Sequence, residues 1–89
     1  MPNGELVDER IEVMCVFSNK GSPRSACVPR KIKYHGRIIE FTEFGFHHPT
    51  RQGNRMIHVF DMTDGRADYR IEFDAECLTW KLISTMVVE

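Results

Sequence analysis

A chain of 89 residues makes one domain near the lower end of what folds alone, too small to enclose a deep substrate cavity within one subunit. A hydrophobic fraction of 42% and a charged fraction of 28% exclude a disordered chain, and a formal net charge of -1 gives no whole-molecule attraction to nucleic acid or an anionic membrane. The longest apolar run, Val13-Met14-Cys15-Val16-Phe17, is far short of a membrane span.

Residues 1–9 are polar and contain Pro2 and Gly4, which predicts a flexible N-terminal leader before a single β domain over residues 10–89. Ile11, Val13, Cys15 and Phe17 alternate with Glu12, Met14, Val16 and Ser18, a first strand whose second face is also partly apolar. Residues 19–26 have the glycine, proline and short polar side chains of a loop. Pro29 cannot donate to a ladder, so it marks a strand start or an edge. Ile32 and Tyr34 then share one face, with Lys31 and Lys33 on the other. A two-residue turn at His35-Gly36 sets Tyr34 against Arg37 and Ile32 against Ile39, and the apolar faces match.

Ile39 and Phe41 share one parity, Phe44 and Phe46 the other. A one-residue bulge near Thr42-Glu43 realigns them; a strand apolar on both sides is the alternative. Residues 49–54 read as an exposed polar loop. In the strand that follows, Ile57 and Val59 lie on one parity and Met56, Phe60 and Met62 on the other, as expected of a strand covered on two sides by another element or a subunit. After Asp64-Gly65 the alternation is clean, with Tyr69, Ile71 and Phe73 inward. A strict two-residue turn sets Phe60 opposite Tyr69; a longer loop sets Val59 opposite Ile71. Residues 74–77 form a turn, Leu78, Trp80 and Leu82 alternate as a firm strand, and residues 84–88 continue as an apolar edge strand or subunit contact.

The expected fold is therefore all-β, an antiparallel meander of five to six strands in a curled sheet or partly open small barrel. Its core is drawn from Ile32, Tyr34, Ile39, Phe41, Phe46, Tyr69, Ile71, Phe73, Leu78, Trp80 and Leu82.

Three constellations carry chemistry. His47 and His58 become diagonal neighbours if Gly45 pairs with His58, and with Glu43 on the same face they offer a metal site. Against it, adjacent His47 and His48 point oppositely, and no Cys-x-x-Cys or His-x-His spacing reinforces the pair; sheet-face histidines explain them as well. From Val13 through Ile39 there is no acidic residue, while Lys20, Arg24, Arg30, Lys31, Lys33 and Arg37 are basic. Lys31, Lys33 and Arg37 with Phe44 would make a sheet that binds single-stranded nucleic acid; the simpler reading is a solvated strand face. Cys77, His58 and Asp61 form no recognisable nucleophilic arrangement, and no phosphate loop or dinucleotide fingerprint is present. The glycines are isolated turn residues, and no cofactor is called for.

The three cysteines are odd in number and widely spaced, and no apolar leader precedes the fold. We expect a cytoplasmic protein with buried free thiols, a single Cys15–Cys77 link being the alternative.

The stretch Pro29-Arg30-Lys31-Ile32-Lys33-Tyr34-His35-Gly36-Arg37, then Asp64-Gly65, Tyr69-Arg70-Ile71-Glu72-Phe73-Asp74 and Leu78-Thr79-Trp80-Lys81-Leu82, resembles a small uncharacterised bacterial β-domain family. Some members accompany DNA-repair polymerase gene clusters, a setting that favours nucleic-acid binding as the alternative function. The resemblance spans residues 29–82 and lends no catalytic residue. The Gly45-Phe46-His47-His48-Pro49 segment stands where that layout carries a Trp-containing loop.

These features together predict a non-enzymatic protein-interaction or binding module, a homodimer or the binder of a protein partner, with Met56, Phe60, Met62 and Val87 at the interface. Single-stranded nucleic-acid binding through residues 20–37 is the alternative, and a metal-dependent site at His47 and His58 the second.

Overall fold

The computed structural model describes residues 4–17 and 27–87 and, of Phe44, the backbone. All its regular elements are strands: β1 (Gly4–Arg10), β2 (Glu12–Phe17), β3 (Cys27–Tyr34), β4 (Arg37–Glu40), β5 (Glu43–Gln52), β6 (Arg55–Thr63), β7 (Ala67–Asp74) and β8 (Thr79–Val87). They form a five-stranded sheet in the order β1-β8-β7-β6-β5 and a three-stranded sheet in the order β2-β3-β4. Every pairing is antiparallel. The domain is all-β, and neither sheet closes on itself.

The chain changes sheet at two corners, and backbone hydrogen bonds show how. At the first, the Ile11 N–H donates to the Trp80 carbonyl at 3.1 Å. At the second, Phe41 donates to Arg30 of the three-stranded sheet at 2.9 Å, and Thr42 to Thr63 of the five-stranded sheet at 2.8 Å. Thus β1 with β2, and β4 with β5, are each one bent strand shared between layers. Counted that way, the molecule is the expected meander of six strands.

The core lies between the sheets. Ile32, Ile39 and Phe41 meet Phe60, Met62, Tyr69, Ile71 and Leu82, with Val7, Ile11, Val13, Tyr34, Phe73 and Trp80 packed around them. Two expected core residues are elsewhere. Phe46 is 50% exposed because the β5–β6 register slips between Phe44 and Phe46, which sets Phe46 opposite Asp61 on the outer face. Leu78 is 73% exposed, since it belongs to the turn before β8 and has a positive φ of 58°.

The hairpins follow local chemistry. Tyr34 pairs with Arg37 and Ile32 with Ile39, as the apolar faces require. Both turn residues have positive φ, His35 at 51° and Gly36 at 77°, the geometry of a type I′ turn. The strained His35 is held by stacking on Tyr34 at 4.0 Å and by Glu9, 3.2 Å from its Nε2. Between β6 and β7, Phe60 faces Ile71 and Met62 faces Tyr69. Neither sequence register holds, because the connection is longer: the Asp64 carboxylate accepts N–H bonds from Arg66 and Ala67 at 2.8 and 2.9 Å.

Three further expectations are corrected. Residues 4–10 are not leader but strand β1, paired with β8 from Gly4 opposite Met86 to Arg10 opposite Lys81. Residues 49–52 extend β5, whose edge position tolerates Pro49, and the turn is confined to Gly53-Asn54. The parity slip is resolved by the Phe41-Thr42 corner and a bulge at Gly45, not by one bulge at Thr42-Glu43. The expected loop over residues 19–26 and the chain ends at residues 1–3 and 88–89 lie outside the described residues.

Candidate functional site

His47 and His58 do come together. Pro49, not Gly45, is opposite His58, which leaves His47 as its diagonal neighbour on the inner face. Nε2 of His47 lies 3.2 Å from Nδ1 of His58, so one ring donates an N–H and the other accepts with its lone pair. His47 also stacks on Phe60 at 4.5 Å, and the cluster continues through Phe73 and Trp80. Glu43 pairs with Thr63 on the opposite face and cannot join the two imidazoles. Among the described residues no group of three or more His, Cys, Asp or Glu is placed to hold a metal ion. The pair is a half-buried hydrogen-bonded link across the β5–β6 hairpin.

The basic set is divided by the sheet. Lys31 and Lys33 lie on the outer face of the three-stranded sheet, where Lys31 meets Glu40 at 3.4 Å and Lys33 stands opposite Glu12. Those two acids sit just beyond the ends of the acid-free stretch, and strand pairing returns them to its lysines. Arg37 is opposite Tyr34 on the other face, close enough for its charge to act on the Tyr69 hydroxyl. The Phe44 backbone is opposite Met62; its side chain lies outside the described residues.

Of the interface set, Phe60 and Met62 are 2% and 3% exposed and belong to the core, so they are not available to a partner. Met56 and Val87 are exposed but lie toward opposite ends of the five-stranded sheet. The cysteines are free thiols: Cys15 and Cys27 half-buried on neighbouring strands, Cys77 exposed beside Arg55 and Asp74. Burial first, and then the neighbouring Cys15 sulfur, push the Cys27 thiol up to about 12.

Two surfaces that sequence reasoning did not single out are more pronounced. The first is the free edge of β2. Of the four edge strands, β1 is blunted by a bulge and by Glu5, Asp8, Glu9 and Arg10; β4 is four residues long between Arg37 and Glu40; β5 carries Pro49 and the Gly45 bulge. Among the described residues, β2 alone presents an edge that is apolar past Glu12, with Met14, Val16 and Phe17 at 59%, 45% and 73% exposure. Its signal was the apolar second face of the first strand.

The second is a trough of about 490 Å³ on the outer face of the five-stranded sheet. The register sets Phe46, Asp61, Arg70, Ser84 and Leu6 in one row, and Glu43, Thr63, Asp68 and Met86 in the next. Arg70 grips Asp61 in a two-pronged ion pair, Nε to Oδ1 at 2.8 Å and a terminal nitrogen to Oδ2 at 3.1 Å. That contact, more than any other, holds the Arg70 guanidinium protonated. Phe46 and Met86 stand half-exposed at the trough's sides. Sequence alternation hid this surface because it assigned Phe46 to the core.

Comparison of the chain with protein-family models, with curated proteins and with solved structures finds no match.

Proposed function

We propose that the protein is a non-enzymatic interaction module that self-associates through the free edge of β2. The observation that supports this reading is the run Val13-Met14-Cys15-Val16-Phe17, a stretch of edge strand without charge or proline, whereas the other three edges among the described residues are blunted. Antiparallel pairing of β2 with its copy is self-complementary, as a two-fold interface must be, and it joins two three-stranded sheets into one of six. Glu12 then lies toward the end of the shared ladder, away from its apolar centre. Exposed Met14 and Ile38 lie on the adjoining sheet face, opposite Lys31 and Lys33 respectively.

Sedimentation velocity over a concentration series tests the reading. A dimer at micromolar concentration is expected, and Val16→Lys should convert it to monomer while leaving the far-UV spectrum unchanged. Monomer alone at every concentration, or a dimer indifferent to Val16→Lys, overturns it.

A further inference from the structure

The outer-face trough is separate from the β2 edge and has a chemistry of its own. Its floor is polar but internally neutralised, since Asp61 and Arg70 satisfy one another. Its sides are apolar, with Phe46 on β5 and Met86 on β8. Along the neighbouring row stand Glu43 and Asp68, both exposed and neither in an ion pair with any described residue. Glu72, in the row on the other side, is balanced by Lys81 opposite it. After Arg70 is cancelled by Asp61, the trough is apolar at its walls and negative at its margin.

We propose that this trough docks a basic, amphipathic segment of a partner protein. An apolar side chain of the segment packs between Phe46 and Met86, and a neighbouring Lys or Arg meets Glu43 and Asp68. Charge complementarity selects a cationic segment, since an acidic one would face the Glu43 and Asp68 carboxylates beside an apolar surface. The trough lies open along the sheet surface, which suits a length of chain more than an enclosed small molecule. Its shape is built in at Gly45: a Cβ there would lie 2.8 Å from the Asp61 carbonyl oxygen, so the close approach of β5 to β6 requires glycine.

The test is fluorescence anisotropy of labelled peptides against the intact protein. One peptide alternates Leu and Lys, which puts all its leucines on one side of an extended chain; a second replaces Lys by Glu, and a third replaces Leu by Ser. Saturable binding of the Leu/Lys peptide alone is expected, weakening as salt is raised. The double variant Glu43→Lys, Asp68→Lys should lose about tenfold in affinity, and Phe46→Ser a similar factor. All three substitutions are at exposed positions, and Trp80 fluorescence confirms that each variant is folded. Equal binding of the Leu/Lys and Leu/Glu peptides, no saturable binding of either, or wild-type affinity in both variants overturns the proposal.

Discussion

Asp64 organises the β6–β7 connection with three bonds: Oδ1 accepts from the Arg66 and Ala67 N–H groups, and Oδ2 accepts from the Tyr69 hydroxyl at 3.1 Å. Burial pushes its carboxyl pKa up, but those donors outweigh burial and the net shift is downward. A carboxylate whose pKa is lower folded than unfolded stabilises the fold above its unfolded value, and that contribution is lost as pH falls through the lower, folded value. Tyr69 is shifted the other way, upward, by burial and then by the bond to Asp64. Asp64→Ala is therefore expected to cost about 1–3 kcal/mol at neutral pH in urea unfolding. The variant should also show a shallower loss of stability below about pH 4. An acid limb as steep as the wild type's would show that Asp64 does not hold the turn. The Asp64-Gly65 turn was legible from the dipeptide itself. Its register was not, because the Asp64 carboxylate bonds to Arg66 and Ala67 lengthen the connection beyond two residues.

At the scale of elements, the β4–β5 strand shows what alternation can and cannot reveal. The parity change between Ile39/Phe41 and Phe44/Phe46 is visible in the sequence, but its location is not. Phe41 and Thr42 turn the corner by bonding to different sheets, to Arg30 and to Thr63, and these partners are remote along the chain. The bulge then falls at Gly45, where the backbones of β5 and β6 approach too closely for a side chain. The same reason concealed β1: apart from half-buried Val7 its residues are exposed, and only pairing with β8 makes it a strand. Gly45→Ala is accordingly expected to destabilise the fold by about 1–3 kcal/mol, the cost of forcing an extra methyl against packed backbone. Hydrogen exchange should show the loss concentrated in β5 and β6, with β2–β4 amides less affected. Wild-type stability in this variant would mean that the bulge moves freely and that Gly45 does not fix the trough.

At the scale of the whole molecule, the two sheets are one folding unit. The two bent strands carry the chain between them, and β1 pairs with β8, so that Gly4 lies opposite Met86 and nearly the full chain is spanned by a single ladder. Trp80 stands where these links converge. Its ring packs against Phe73 at 4.6 Å and Phe60 at 5.6 Å, and its carbonyl receives the Ile11 N–H at the first corner. The two sheets share one core: Ile32 and Ile39 of the three-stranded sheet belong to the same buried cluster as Phe60, Ile71 and Leu82 of the five-stranded one. Unfolding followed by Trp80 fluorescence and by far-UV circular dichroism should therefore give coincident transitions. Refolding should take milliseconds to seconds, since remote strands must pair before burial rewards them. The comparison is made at one protein concentration, because any self-association through β2 makes the midpoint concentration-dependent. Two separated transitions would show that the three-stranded sheet opens while the five-stranded sheet stays folded. The corners would then be hinges between independent layers instead of the joints of a single core.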